Sequence, residues 1–275
     1  MRFAAVQHDI DWERPPSTRR RILALLADLD LLSDRNAKTD QPGFLLLPEL
    51  CETGFSLDLD AIADLRDEGR SSVEWAAEVA RRTNSFVQIG HAVRATDGRG
   101  LNRATILAPD GGELEHYDKI HPFSFAGEDR IYASGRRAVV LDCGDFKVCP
   151  LICYDLRFPE LWRHAVRRGA EVFTIGASWP AKRQRHWRSL LVARAIENQA
   201  YVVACNRVGR DPSHEYAGGS MIISPMGDVL AEGGVADAMV TATLERDELL
   251  AWRRTFPALA DLQARWLGDL DEGRR

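Results

Sequence analysis

Three residues of unlike chemistry share one kind of position in this chain. Glu49 follows the apolar run 44–47, Lys119 closes a short segment at 114–117, and Cys153 ends the apolar run Phe146–Ile152 just before a polar turn. A charged group at the mouth of an apolar strand is either a solvated terminus or a site residue. A cysteine there is either a packed thiol or a nucleophile held rigidly and open on one side. Taken together, the three form a chemical set. A thiol is activated by a base that takes its proton or by a cation that stabilises the thiolate, and Glu49 and Lys119 supply one of each. Attack on a carbonyl or nitrile carbon creates an oxyanion. Lys119 and the backbone N–H of Tyr154 can hold it. Glu49 can then protonate departing ammonia and activate a water. The expected chemistry is a two-step hydrolysis through a thioester.

Strands and helices must alternate to place these residues. Periodicity predicts strands at 3–7, 44–47, 85–93, 101–107, 114–117, 138–141, 146–152, 172–175, 201–205, 220–224, 229–231 and 239–244. Helices are predicted at 73–82, 159–168, 184–199 and 245–254, and one more after Ser17 or Thr18 as cap, with Ile22, Leu25, Leu26 and Leu29 at helical spacing. A polar stretch, 35–43, ends in the breaker Pro42-Gly43, and an aromatic loop occupies 121–135. Unbroken apolar strands imply sheets covered on both faces by helices. The order β-α-β-α-β-β-β occurs early and again later, with no Ser/Gly-rich linker. One α/β domain follows, able to stack two sheets face to face with helices outside.

Composition narrows the class. The 275 residues are 45% hydrophobic and 28% charged, with a net charge of −5 spread over both signs. No basic block suggests nucleic acid and no apolar run reaches membrane-spanning length. The opening residues lack the pattern of a signal peptide, so a cytoplasmic protein is expected. Five cysteines, an odd number without zinc spacing, fit reduced thiols. Of these, Cys51, Cys143 and Cys205 are read as packing residues. There is no GK[ST] motif, no GxGxxG after the first strand and no HExxH, so neither cofactor nor metal is expected.

The stretches LLLPELCETGF, YDKIHPF and PLICYDLRFPELWR resemble the nitrilase superfamily of carbon–nitrogen hydrolases, in that family's order and over nearly the whole chain. The resemblance implies a Glu–Lys–Cys triad of Glu49, Lys119 and Cys153. It also implies a four-layer α-β-β-α sandwich in a single hydrolase domain over 1–257, followed by a tail over 258–275, and a homodimer. A second, substrate-positioning glutamate is implied at Glu128; from the residues alone, Glu128 is a loop acid.

Two later stretches, ASWPAKRQRHWRSLLVARAIENQAYVVACNRVG and HEYAGGSMIISPMGDVLAEGG, are similar to the ω-amidase branch. That branch acts on small amides, the ω-amides of short α-keto acids such as 2-oxoglutaramate. The resemblance implies Arg157 as a carboxylate contact, Trp179 as an aromatic pocket wall, and Arg183 where some relatives place a hydroxyl. Otherwise, Arg157 pairs with a structural acid and Arg183 is a solvated loop charge. Pro122 departs from relatives that carry a longer apolar residue. His116 and His121 read as hydrogen-bonded structural residues, and His186, Trp187, Glu197 and Asn198 as packing. The alternatives are an N-carbamoyl amine hydrolase, an aliphatic amidase, a nitrilase, a cysteine–histidine protease or a non-catalytic binding protein.

Overall fold

Alternation along the strands divides the apolar residues between two faces, and each face demands its own partner. The computed structural model describes residues 1–28, 42–64, 66–67 and 69–263. The first-half strands are β1 (Arg2–Gln7), β2 (Phe44–Leu46), β3 (Phe86–Arg94), β4 (Gly100–Leu107) and β5 (Glu113–Asp118). The later ones are β6 (Leu141–Cys143), β7 (Phe146–Ile152), β8 (Val172–Ala177), β9 (Tyr201–Asn206), β10 (Met221–Ile223), β11 (Val229–Glu232) and β12 (Ala238–Thr243). They form two six-stranded sheets, ordered β12-β1-β2-β3-β4-β5 and β11-β10-β9-β8-β7-β6. Each has three neighbouring parallel strands, β1–β3 in one and β7–β9 in the other, flanked by antiparallel ones.

Parallel neighbours need crossovers. These are α1 (Pro15–Asp28) and α2 (Ser72–Thr83) for the first sheet, and α3 (Pro159–Arg167) and α4 (Gln184–Asn198) for the second. Leu45 and Leu47 pack outward with Ile22, Leu26, Trp75 and Val79. Leu151, Phe173 and Ile175 do the same with Trp162, Ala165 and Leu191. Between the sheets lie Phe3, Phe44, Leu46, Phe146, Val148 and Val203. The layers therefore run α-β-β-α. The free cysteines Cys51, Cys143, Cys149, Cys153 and Cys205 are all buried among these layers.

Three local expectations shift. The helix after the first strand begins at Pro15, and Ser17 and Thr18 lie inside it. Proline is preorganised for a first helical turn, and the hydroxyl of Ser17 bonds Arg14 O while that of Thr18 accepts from Asp11 N. Leu29 and residues 35–41 lie outside the described residues. The strand expected at 138–141 forms at Leu141–Cys143 instead, where Gly144 at φ 60 lets the chain turn into β7. The strand at 239–244, expected to close the sheet begun by its preceding neighbours, forms as β12 and pairs instead with β1, Arg2 opposite Thr243.

Candidate active site

The C-terminal ends of the parallel strands of both sheets converge, as expected for a ligand crevice in an α/β fold. At the end of β2 the chain passes through Pro48 and Glu49 into Leu50, at φ 46. This turn lies flat against the opposite sheet. A Cβ on Gly176 of β8 would stand 2.7 Å from Leu47 O, and one on Gly90 of β3 would stand 2.7 Å from Pro48 O. Glycine at 176 lets the opposite sheet, and glycine at 90 the neighbouring strand of the same sheet, approach the Glu49 turn this closely.

At the end of β7, Cys153 adopts φ 43, a left-handed backbone that a non-glycine residue seldom takes. The chain then enters a single 3-10 turn, Cys153–Arg157. Asp155 holds that turn. Its buried carboxylate accepts from Ile152 N (3.1 Å), Tyr117 Oη (2.8 Å), His121 N (3.1 Å) and the His121 ring (2.9 Å). One acid thus ties the cysteine turn to the segment that carries Lys119. Arg194 of α4 adds two bonds to Leu156 O, at 3.1 and 2.9 Å.

Lys119 follows β5. Its N–H donates to Asn102 O (2.9 Å) and its carbonyl accepts from Gly135 N (2.8 Å). The loop between Lys119 and Gly135 folds into two short helical turns, Ser124–Ala126 and Glu128–Ile131. The second begins with Glu128, whose carboxylate also accepts from Phe123 N.

These segments bring one ammonium against two carboxylates. Lys119 Nζ lies 2.7 Å from Glu49 Oε1, and 3.1 and 2.8 Å from the two Glu128 oxygens. The Asn102 amide donates to Glu49 Oε1 and to Glu128 Oε1, both at 2.9 Å. Glu49 Oε2 accepts from Ser178 N at 3.1 Å. The Lys119 and Glu49 side chains are 1% and 0% exposed, so water screens little of this. Burial alone would lower the Lys119 pKa. Glu128 and then Glu49 reverse that sign and hold the ammonium above its ordinary value. Burial pushes the Cys153 thiol well up and Glu49 adds to it, while Lys119 and the Ser178 N–H only partly oppose them. The free site therefore holds a thiol beside a carboxylate base. Of the two routes to activation, the base is available, whereas the cation is already committed to two carboxylates.

Above the thiol opens a pocket. Glu49, Lys119, Cys153, Tyr154, Arg157, Ser178, Trp179 and Arg183 line it; Glu128 lies beneath, behind Lys119. Trp179 is clamped by Asn206, which accepts from Trp179 N at 2.7 Å and donates to its carbonyl at 3.1 Å. The Arg157 guanidinium lies over the Trp179 ring at 4.8 Å, and that of Arg183 over Phe123 at 5.3 Å. Among the described residues neither forms an ion pair with a carboxylate. Burial lowers the Arg183 pKa and the neighbouring Arg157 charge lowers it further.

Sequence reasoning did not single out Asn102, Asp155 or Ser178, nor Phe55, Phe123, His214 and Tyr216, which also line the pocket. Asn102 left one sign, an asparagine inside a strand pattern. His121 is the hydrogen-bonded histidine expected, stacked on Phe158 at 3.7 Å. His186 is not packed. It is exposed, with its ring nitrogen 3.3 Å from the Arg157 guanidinium, because the first turn of α4 faces solvent there.

Residues 2–254 match the family described as carbon-nitrogen hydrolase. A 2-oxoglutaramate amidase of Bacillus subtilis (strain 168) is 38% identical over 95% of this chain and 97% of its own. An omega-amidase of Escherichia coli (strain K12) is 36% identical over 79% and 83%. A solved CN-hydrolase superfamily protein of Xanthomonas campestris, carrying an arsenic adduct in its active site, superposes with a TM-score of 0.86 at 32% identity, over 96% and 97% of the two chains. Nit3 of Saccharomyces cerevisiae, a member of the nitrilase superfamily, shares the fold at a TM-score of 0.80 and 22% identity, over 94% of each chain. A two-sheet sandwich whose strand ends gather a thiol, a carboxylate and an ammonium, matched by relatives of this extent, makes the chain a member of the carbon-nitrogen hydrolase family and a carbon–nitrogen hydrolase enzyme.

Proposed function

We propose that this chain is an ω-amidase that releases ammonia from short α-keto acid ω-amides such as 2-oxoglutaramate. The observation that carries the reading is the pair of guanidiniums, Arg157 and Arg183, on aromatic walls of the Cys153 pocket without carboxylate partners. Arginines that meet no carboxylate among the described residues, in a half-buried pocket, suit a carboxylate arriving with the substrate. The relatives named for 2-oxoglutaramate and ω-amides support the same substrate class.

In this reading Glu49 Oε2 accepts the Cys153 proton as the sulfur attacks the amide carbon. Lys119 Nζ and the Tyr154 N–H hold the oxyanion. Lys119 becomes free to do so because Glu49 loses its negative charge at the same moment. Glu49 then gives the proton to the amide nitrogen, the C–N bond breaks, and ammonia leaves a thioester. A water loses a proton to Glu49 and attacks that thioester. The C–S bond breaks, the product carboxylate departs, and Glu49 returns the proton to sulfur. Glu128 keeps Lys119 in place throughout, and Trp179 forms the pocket wall behind the substrate chain.

The reading extends to a hydrolase domain over 1–257 with a tail over 258–275, a homodimer and a cytoplasmic location. Among the described residues no helix is long and apolar enough to cross a membrane. An end-point ammonia assay over α-keto ω-amides, simple aliphatic amides, N-carbamoyl compounds and nitriles tests the function. The α-keto ω-amides turn over fastest, and Cys153→Ala abolishes release. Wild-type protein inert on every short ω-amide would sink the substrate assignment.

A further inference from the structure

We infer that Asn102 is a positioning residue of the reaction: its side-chain amide bridges two carboxylates onto one ammonium and leaves a chosen edge of Glu49 for the thiol. The inference rests on the reading of Cys153 as nucleophile and Glu49 as its base.

Two nitrogens and two oxygens alternate around a closed ring. Lys119 Nζ and Asn102 Nδ2 both donate to Glu49 Oε1, at 2.7 and 2.9 Å, and both donate to Glu128 Oε1, at 3.1 and 2.9 Å. With Lys119 alone, two like charges would meet over a single cation. Asn102 adds a second bridging donor without adding charge. A lysine or arginine there would give each carboxylate its own cation and quench the base.

The ring also separates the two oxygens of Glu49. Oε1 carries both bridges, whereas Oε2 accepts the Ser178 N–H, at 3.1 Å. Oε2 is thus the oxygen left for the Cys153 proton.

The orientation of the amide is determined by its surroundings. Reversed, Asn102 would aim Oδ1, an acceptor, at two acceptors. In the orientation adopted, Oδ1 is buried and has no hydrogen-bond partner among the described residues. Buried polar atoms left this way are rare and mark a constraint of another kind. Here the constraint is the ring, which needs both amide hydrogens.

Asn102 holds Lys119 a second time. Its carbonyl accepts the Lys119 N–H at 2.9 Å, and it sits opposite Ala92 in the sheet. Those backbone contacts survive a change of side chain, so substitution isolates the amide.

The test uses Asn102→Leu and the isosteric Asn102→Asp, each read two ways across pH. One readout is ammonia release from 2-oxoglutaramate. The other is alkylation of Cys153 by iodoacetamide, which needs no knowledge of the substrate. In Asn102→Leu, kcat is expected to fall about 100-fold, as for loss of one preorganised donor, with KM within about threefold of wild type. The acid limb of both profiles moves to higher pH, because a carboxylate that has lost a donor takes up a proton more readily. In Asn102→Asp the single carboxyl proton, kept only at low pH, restores at most one of the two bridges, so kcat stays below wild type throughout and fades further as pH rises. A kcat within threefold of wild type in Asn102→Leu overturns the inference. So does a loss of rate in both variants with neither pH profile displaced, which a purely structural role would give. Should Asn102→Leu not fold, Asn102→Asp decides alone. If wild type releases no ammonia from any amide, the alkylation profiles still decide the role of Asn102, and only the substrate reading falls.

Discussion

The floor and the mouth of the Cys153 pocket treat charge in opposite ways. On the floor, Glu49, Lys119 and Glu128 are almost wholly buried, and each has a charged partner within 3.1 Å. At the mouth, Arg157 and Arg183 are half-buried and rest on the faces of Trp179 and Phe123, with no carboxylate between them. A closed buried network cannot exchange partners without exposing a charge to a medium that solvates it poorly. It therefore specifies one reaction. An open pair of cations is satisfied by a ligand, and in the proposed reading it selects which acyl group reaches the thiol. In the proposed reading, chemistry and selectivity sit at opposite ends of the Cys153 pocket.

The largest effect comes from opening the floor. Lys119→Met removes the cation that bridges two buried carboxylates. Turnover is expected to fall by about 10⁴-fold or more, since the oxyanion donor and the partner of the base vanish together. Breaking a buried pair from one side also destabilises the fold, by roughly 3–5 kcal/mol, so a melting curve accompanies the kinetics. The same variant separates this chemistry from that of a cysteine–histidine pair. Undiminished turnover in folded Lys119→Met protein would mean that a histidine supports the nucleophile and that the floor has been misread.

A middle-sized effect comes from the mouth. Arg157→Met is expected to lower kcat/KM on a carboxylate-bearing amide by about 100-fold, the scale of one charge-assisted bidentate contact. On a neutral amide of the same length the loss stays within about threefold. Steady-state kinetics on the two substrates check this. Equal losses on both would make Arg157 a structural support for the Cys153–Arg157 turn and erase the distinction between floor and mouth.

That distinction also separates what could be read from the sequence from what could not. Glu49, Lys119 and Cys153 were legible because each interrupts an apolar run at a strand end, where a reactive group contrasts with its neighbours. Both crossover pairs were legible for the same reason, as unbroken apolar strands between amphipathic helices. Asp155 was not. Its donors Tyr117 and His121 stand 38 and 34 residues away, and nothing local marks an acid that three distant groups will enclose. Asn102 was hidden inside a regular strand pattern, since its meaning depends on two carboxylates brought in by other segments. The return of β12 to β1 was likewise beyond local reading, because an apolar edge strand does not record which sheet it will join. The mouth was partly legible through resemblance, but that its two arginines lie on aromatic rings is a fact of packing.

The smallest effect sharpens the comparison from within the mouth. Arg183 is half-buried and lies close enough to Arg157 for their like charges to matter, and both factors lower its pKa. Its guanidinium nonetheless stays charged at any working pH. In the free enzyme the pair is therefore mutually repelled, and a substrate carboxylate relieves the repulsion as it binds. Removing Arg183 discards one contact but also removes the repulsion, so Arg183→Met is expected to cost only about tenfold in kcat/KM, nearly all of it in KM. In the double variant with Arg157→Met the losses should not add, because the two side chains serve one anion. Raising ionic strength should increase KM in wild type and progressively less in the single and double variants, as screening acts on what remains of the cationic mouth. Strictly additive losses with a salt response unchanged by either substitution would place Arg183 outside the binding site and leave Arg157 to select the substrate by itself.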